Sequence, residues 1–214
     1  MSEKLVTDSQ GRDSARVARA KGITRAQWQD WQASLARFMD AKLAGERIII
    51  DRQFTPPPGG RLHRLTVPVT LDRPWPEAVT AADPNTSESS NIWEVGDLYP
   101  PTGVGQREEN LVLLNFSENG SWGKAIAWGK KNCLSPTVPR QVFAVGEHYP
   151  NLHRELGLDP MWLTGTTECS FDGSRQAADV WWSGAGRGAG LGWLSDFGSP
   201  HGWFAFSASE LLTL

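Results

Sequence analysis

Residues 180–194 read Val180-Trp181-Trp182-Ser183-Gly184-Ala185-Gly186-Arg187-Gly188-Ala189-Gly190-Leu191-Gly192-Trp193-Leu194, or VWWSGAGRGAGLGWL. Glycines alternate with small residues around a single arginine, and tryptophans stand on both sides. A phosphate-cradling loop here implies a nucleotide enzyme built from β-α-β units. A connection between two strands implies an antiparallel sheet. Gly184, Gly186 and Ala189 meet the letters of the dinucleotide fingerprint Gly-x-Gly-x-x-Gly/Ala. That fingerprint works only when a helix follows, because the helix N-terminus holds the pyrophosphate. Leu191 to Gly198 is short, punctuated by glycine and poor in helix formers. No Lys-Ser or Lys-Thr pair follows the glycines, so a Walker-type loop does not fit either. A long flexible hairpin loop suits the stretch better, because glycine visits positive φ freely. This reading predicts Trp182 and Trp193 on neighbouring antiparallel strands, with Arg187 on a solvent-exposed tip. Adjacent strand residues point to opposite faces. At most one of Trp181 and Trp182 therefore enters a given core layer. Trp181 and Arg187 are candidate partner contacts.

The surrounding sequence supports the strand reading. Residues 110–116, 161–171, 176–182, 191–194 and 203–206 alternate or run apolar as strands do. Asn119-Gly120 is a hairpin signal, so 124–128 is expected to return as a strand, and 140–145 to form another. His63 to Leu71 alternates and reads as an edge strand, since Pro68 is awkward inside a sheet. Residues 151–156 read as one or two helical turns. The proline-rich, Ser/Thr-rich residues 72–91 read as loop, and 207–213 as a short closing helix. The expected fold is α+β: a helical N-terminal arm, about residues 13–44, packed on or beside a mainly antiparallel sheet formed largely by about residues 92–206. The expected division is a helical arm over 1–45, an irregular strand and loop linker over 46–91, including Ile48-Ile49-Ile50, and a β-rich domain over 92–214.

The arm has its own pattern. Trp28, Trp31, Leu35, Phe38, Met39 and Leu43 recur at helical spacing between a capping Thr24 and Gly45. Ala18, Gly22 and Thr24, followed by Trp28 and Trp31, partly resemble a helix-turn-helix, in which a turn glycine lets two helices pack. Arg12, Arg16, Arg19, Lys21 and Arg25 face only Asp13 between residues 12 and 25. Contact with nucleic-acid phosphates is physically sensible there. The alternative is an amphipathic helix docking on the sheet or on a partner.

Composition narrows the rest. The 214 residues carry 11 Trp, enough aromatic surface for a substantial core, and a net charge of −3, which gives no global pull toward nucleic acid or anionic lipid. No stretch is apolar enough for a membrane span. Residues 1–25 contain no apolar core of the secretory kind. The two cysteines, Cys133 and Cys169, read as reduced thiols of a soluble cytoplasmic protein. Pro150 lies between His148 and His153, so the two cannot share a helical face, and no Cys-x-x-Cys pair exists. No metal and no cofactor is expected. Cys133 with His148 or His153 is a thin basis for nucleophilic catalysis, and Cys169 reads as a buried apolar residue. Glu94, Asp97, Glu168, Asp172 and Asp179 have no spacing that pairs any two, so no catalytic residue is assigned. The function expected first is a non-enzymatic interaction protein: an accessory subunit, inhibitor or immunity-like factor. The second is a nucleic-acid-binding protein or ribonucleoprotein component working through the basic N-terminal helices. The third is an enzyme whose site is not recognisable.

Overall fold

The strands form where alternation is strongest. β1 (Arg61–Thr70) buries Leu65, Val67 and Val69, with the exposed Arg64 just before them and the exposed Thr66 among them. Among the described residues it pairs only with β2 (Gln106–Asn115), which makes it an edge strand there, where Pro68 withholds no needed ladder donor. The computed structural model describes residues 54–117, 120–184, 186–194 and 200–208, with scattered positions between 16 and 36. Between β1 and β2 lie one α-helix and a 3-10 helix, and three more α-helices and the remaining strands follow β2. α1 is Trp75–Ala82, α2 is Trp122–Lys131, α3 is Pro139–His148 and α4 is Leu152–Glu155, while a 3-10 helix spans Asn91–Leu98. The strands are β3 (Ser135–Pro136), β4 (Met161–Phe171), β5 (Ser174–Ser183), β6 (Gly186–Trp193) and β7 (Gly202–Ser207). The seven-stranded sheet runs β1-β2-β7-β4-β5-β6, with β3 also paired to β7. All pairs are antiparallel except β4 with β7. The fold is α+β, as the sequence suggests.

The central strands are covered on both faces. Leu111, Leu113, Trp203 and Ala205 join the larger core, with Val79 of α1, Ile92 of the 3-10 helix and Phe143 of α3. Val112, Leu114, Phe204 and Phe206 point the other way into a smaller core beneath α2, with Ala125 and Leu134. This double cover explains why β2 reads as an unbroken apolar run from Leu111 to Leu114 rather than as an alternation. Trp182 and Trp203 are each 1% exposed. A buried indole removes roughly 150–250 Å² from water, worth several kcal/mol at about 25 cal/mol/Å².

Three segments differ from the sequence reading. Residues 124–128 lie in α2, not in a returning strand. Ser121 caps that helix by accepting the Lys124 N–H at 3.2 Å, and Ala125 and Gly129 bury one helical stripe. Residues 140–145 lie in α3. Pro139 presets its first turn, and the Gln141 side chain accepts the Val138 N–H at 2.8 Å. Pro139 to Gly146 is buried all round, so no polar face marked its helical period. Within 72–91, expected as loop, Trp75–Ala82 is helical. It begins with Pro76 in the first turn, where a missing N–H is harmless, and packs Trp75 against Tyr99 and Phe143. The sheet also begins earlier than residue 92, at Arg61. α4 matches the expected helical turns at 151–156.

The chain divides into two compact units, Met1–Asp51 and Arg52–Leu214. In the first, Arg16, Val17, Arg19 and Ala20 are helical, Gly22 turns at φ 75°, and helix resumes at Arg25. The Trp28 N–H donates to the Thr24 carbonyl at 3.0 Å, which puts Thr24 at the capping position. Trp31, Leu35, Phe38, Met39, Leu43, the Ile48-Ile49-Ile50 strand, Asn119 of the expected hairpin turn and residues 209–213 lie outside the described residues. Among the described residues no helix is long and apolar enough to cross a membrane.

Candidate functional site

β5 and β6 pair along their whole length, Trp182 opposite Arg187 and Gln176 opposite Trp193. The neighbouring antiparallel placement of Trp182 and Trp193 is as the sequence predicts. The connection is not a long loop: Ser183 already pairs with Gly186, and the glycine-rich run is itself β6. Arg187 is therefore no exposed tip. It lies within β6 with its side chain 21% exposed, and its guanidinium lies 3.9 Å from the buried Asp83 at the end of α1.

Paired residues share a sheet face, and successive residues alternate. Ala178, Val180 and Trp182 point into the larger core with Ala189. Asp179 and Trp181 lie on the opposite face, opposite Gly190 and Gly188. β4 extends that face, with Trp162 opposite Trp181 and Thr164 opposite Asp179. Glycine is required here by close approach. A Cβ at Gly188 would lie 2.5 Å from the Trp181 ring, and one at Gly190 would lie 2.9 Å from Asp179 Oδ1. The indole and the carboxyl of β5 thus lie across β6, over positions that have no side chain.

They reach a cavity of about 420 Å³ beside β6. Thr86, Ser87 and Ser90 line it together with Trp162, Asp179 and Trp181. The hydroxyl-bearing rim is fixed in place. Thr86 donates to the Asp83 carbonyl at 2.9 Å and accepts the Ala189 N–H at 3.2 Å, while the Trp93 indole N–H donates to the Ser87 carbonyl at 2.8 Å. Trp193, 55% exposed, also lines the trough, from the sheet face opposite to that of Asp179 and Trp181.

Asp179 is the chemical centre of this arrangement. It is 7% exposed, and no hydrogen bond or ion pair reaches it among the described residues. Burial pushes its carboxyl up to about 7. Its cross-strand neighbour Thr164 is fully buried, and its hydroxyl has no partner among the described residues. A buried carboxyl poised near neutrality can accept a hydrogen bond from a cationic group or exchange a proton. General acid–base catalysis also asks for a second group converging on the reacting atoms, and among the described residues no such hydrogen-bonded pair includes Asp179.

The other residues singled out in the sequence are dispersed. Arg16, Arg19 and Arg25 are exposed and helical, flanking Gly22, while Arg12 and Lys21 lie outside the described residues. Trp181 is half-buried at the cavity. Cys133 is exposed just after α2 at φ 54°, His148 ends α3 with its Nε2 3.7 Å from Glu147, and His153 is buried in α4. No hydrogen bond among the described residues joins Cys133 to either histidine. Cys169 is buried in β4. Among the described residues no group of three or more His, Cys, Asp or Glu side chains is placed to hold a metal ion. Sequence reasoning noted Asp179 only as an unpaired carboxylate and passed over Trp162. The available signal was a lone charge within the apolar run Ala177-Ala178-Asp179-Val180-Trp181-Trp182. No protein-family model, no curated protein and no solved structure matches this chain.

Proposed function

We propose that the protein works by binding a protein partner, as an accessory subunit, inhibitor or immunity-like factor, and that the trough beside β6 is its contact surface. One observation carries the reading: Trp181 and Asp179 lie across a glycine strand, the last strand of the sheet among the described residues, to line a trough beside it. An open edge strand can receive an extended segment through its main chain. Exposed tryptophans such as Trp193 are over-represented among residues that dominate binding energy. A photo-crosslinking amino acid at position 193, introduced in the native host, tests the reading. The expected outcome is one discrete protein adduct from position 193 and none from a control at Val104, which is also exposed. Adducts that are absent, or equally abundant from both positions, remove it.

A second reading rests on the first unit. Its helix–Gly22–helix turn sets Arg16, Arg19 and Arg25 on exposed helical positions, which favours contact with nucleic-acid phosphates. Its signature is affinity that falls steeply with salt and falls again when the three arginines become alanine. Absence of DNA and RNA binding at low salt eliminates it.

A further inference from the structure

The occupant of the trough must satisfy Asp179. A carboxyl taken out of water without a partner is costly, and a charged one is costlier still. A neutral apolar group in the trough leaves it unpaired, and an anion opposes it. A cationic N–H donor answers it. The flanking indoles favour the same choice, because the face of a tryptophan attracts an ammonium or guanidinium group. Thr86, Ser87 and Ser90, which line the same cavity, supply oxygens for the remaining N–H groups of such a head.

The edge of β6 says how that head is carried. Ala189 sends its N–H outward to Thr86. In an antiparallel strand every second residue directs its main-chain groups to the same side. Leu191 and Trp193 therefore also direct theirs away from β5, toward the trough that both residues line. An extended segment lying there pairs with Leu191 and Trp193. It stands one strand spacing, ~4.8 Å, from β6. From that position a long side chain crosses toward the carboxyl that Asp179 extends over Gly190.

We propose that the trough binds an extended segment of a protein partner through one lysine or arginine side chain, with Asp179 as its counter-charge and Trp181 as its aromatic wall. This rests on the reading above that the partner is a protein.

Selection of random nine-residue peptides displayed on phage, against the intact protein and its Asp179→Asn variant, tests the proposal. Peptides enriched on the intact protein are expected to share one Lys or Arg. Replacing that residue with Gln should weaken binding roughly tenfold, and Glu should weaken it further. On Asp179→Asn the advantage of Lys or Arg over Gln should disappear. The Gln and Glu peptides read out the same contact on the unaltered protein, so the test does not depend on the variant folding. Enriched peptides that shift the Leu191 and Trp193 amide resonances without a basic preference overturn the cation site and leave the protein-binding reading standing. Failure to enrich any peptide overturns both. Free arginine amide binding as tightly as the peptides overturns the segment and marks a small-molecule site.

Discussion

Asp179 is a carboxylate placed where folding disfavours its charge. Its ordinary value near 3.8 is raised to about 7 by burial. The folded state therefore holds this proton over a range in which the unfolded chain has released it. The group lowers stability progressively as pH rises from about 4 to about 7, by an amount on the order of 4 kcal/mol across the window, and adds no further slope above it. Asp179→Asn carries no charge at any pH and nearly the same shape. Urea denaturation at pH 4 and pH 8 should show the variant gaining on the wild type at the higher pH by a few kcal/mol. Parallel behaviour at both pH values would mean that Asp179 is solvated or paired after all. Gly188 offers a complementary test. In Gly188→Ala the new Cβ falls 2.5 Å from the Trp181 ring, so the indole must leave its seat on β6. Fluorescence of a partner peptide bound at the trough should report weaker binding, while overall stability falls by about 1–3 kcal/mol, as overpacking does.

At the scale of elements, α2 puts two forces in opposition. Gly129 lies inside a helix, where alanine is ordinarily better by about 1 kcal/mol. A Cβ there would lie 2.3 Å from the Phe206 ring in the smaller core. Overpacking of about 1–3 kcal/mol or more outweighs the propensity gain. Gly129→Ala is therefore expected to lower the thermal midpoint, and a rise would show that Phe206 can turn aside without strain. The same helix marks the limit of the sequence reading. β1, β4, β5 and β7 were legible because alternation or β-rich apolar runs survive in their residues. α2 and α3 were not. Lys124 to Trp128 and Arg140 to Val145 are short runs in which strand and helix periods cannot be told apart. What decided them were the Ser121 cap, Pro139 and burial on every side of α3. The glycine run, read as a loop joining two neighbouring strands, is itself the second of them. Its glycines serve close approach by Trp181 and Asp179, and that is visible only once the register of β5 with β6 is known. The candidate site was hidden for the same reason, since Trp162, Asp179 and Gly190 meet only through pairing across three strands.

At the scale of the whole molecule, the division at Asp51 and Arg52 separates the two proposed kinds of contact. The basic residues Arg16, Arg19 and Arg25 belong to the first unit, and the trough belongs wholly to the second. Among the described residues, both hydrophobic clusters draw their buried members from Leu65 onward, and every strand of the sheet begins at Arg61 or later. The second unit thus holds its own core and should fold without the first. A chain of residues 52–214 is expected to keep a cooperative melt and the dispersed amide spectrum of a sheet. It should also keep the basic-peptide preference of the trough, since Asp179, Trp181 and the Thr86 to Ser90 rim remain. Any salt-dependent affinity for nucleic acid should be lost with residues 1–51. Loss of peptide binding from a shortened chain that still folds would place part of that site in the first unit. Retention of nucleic-acid affinity would move the phosphate contacts onto the sheet unit.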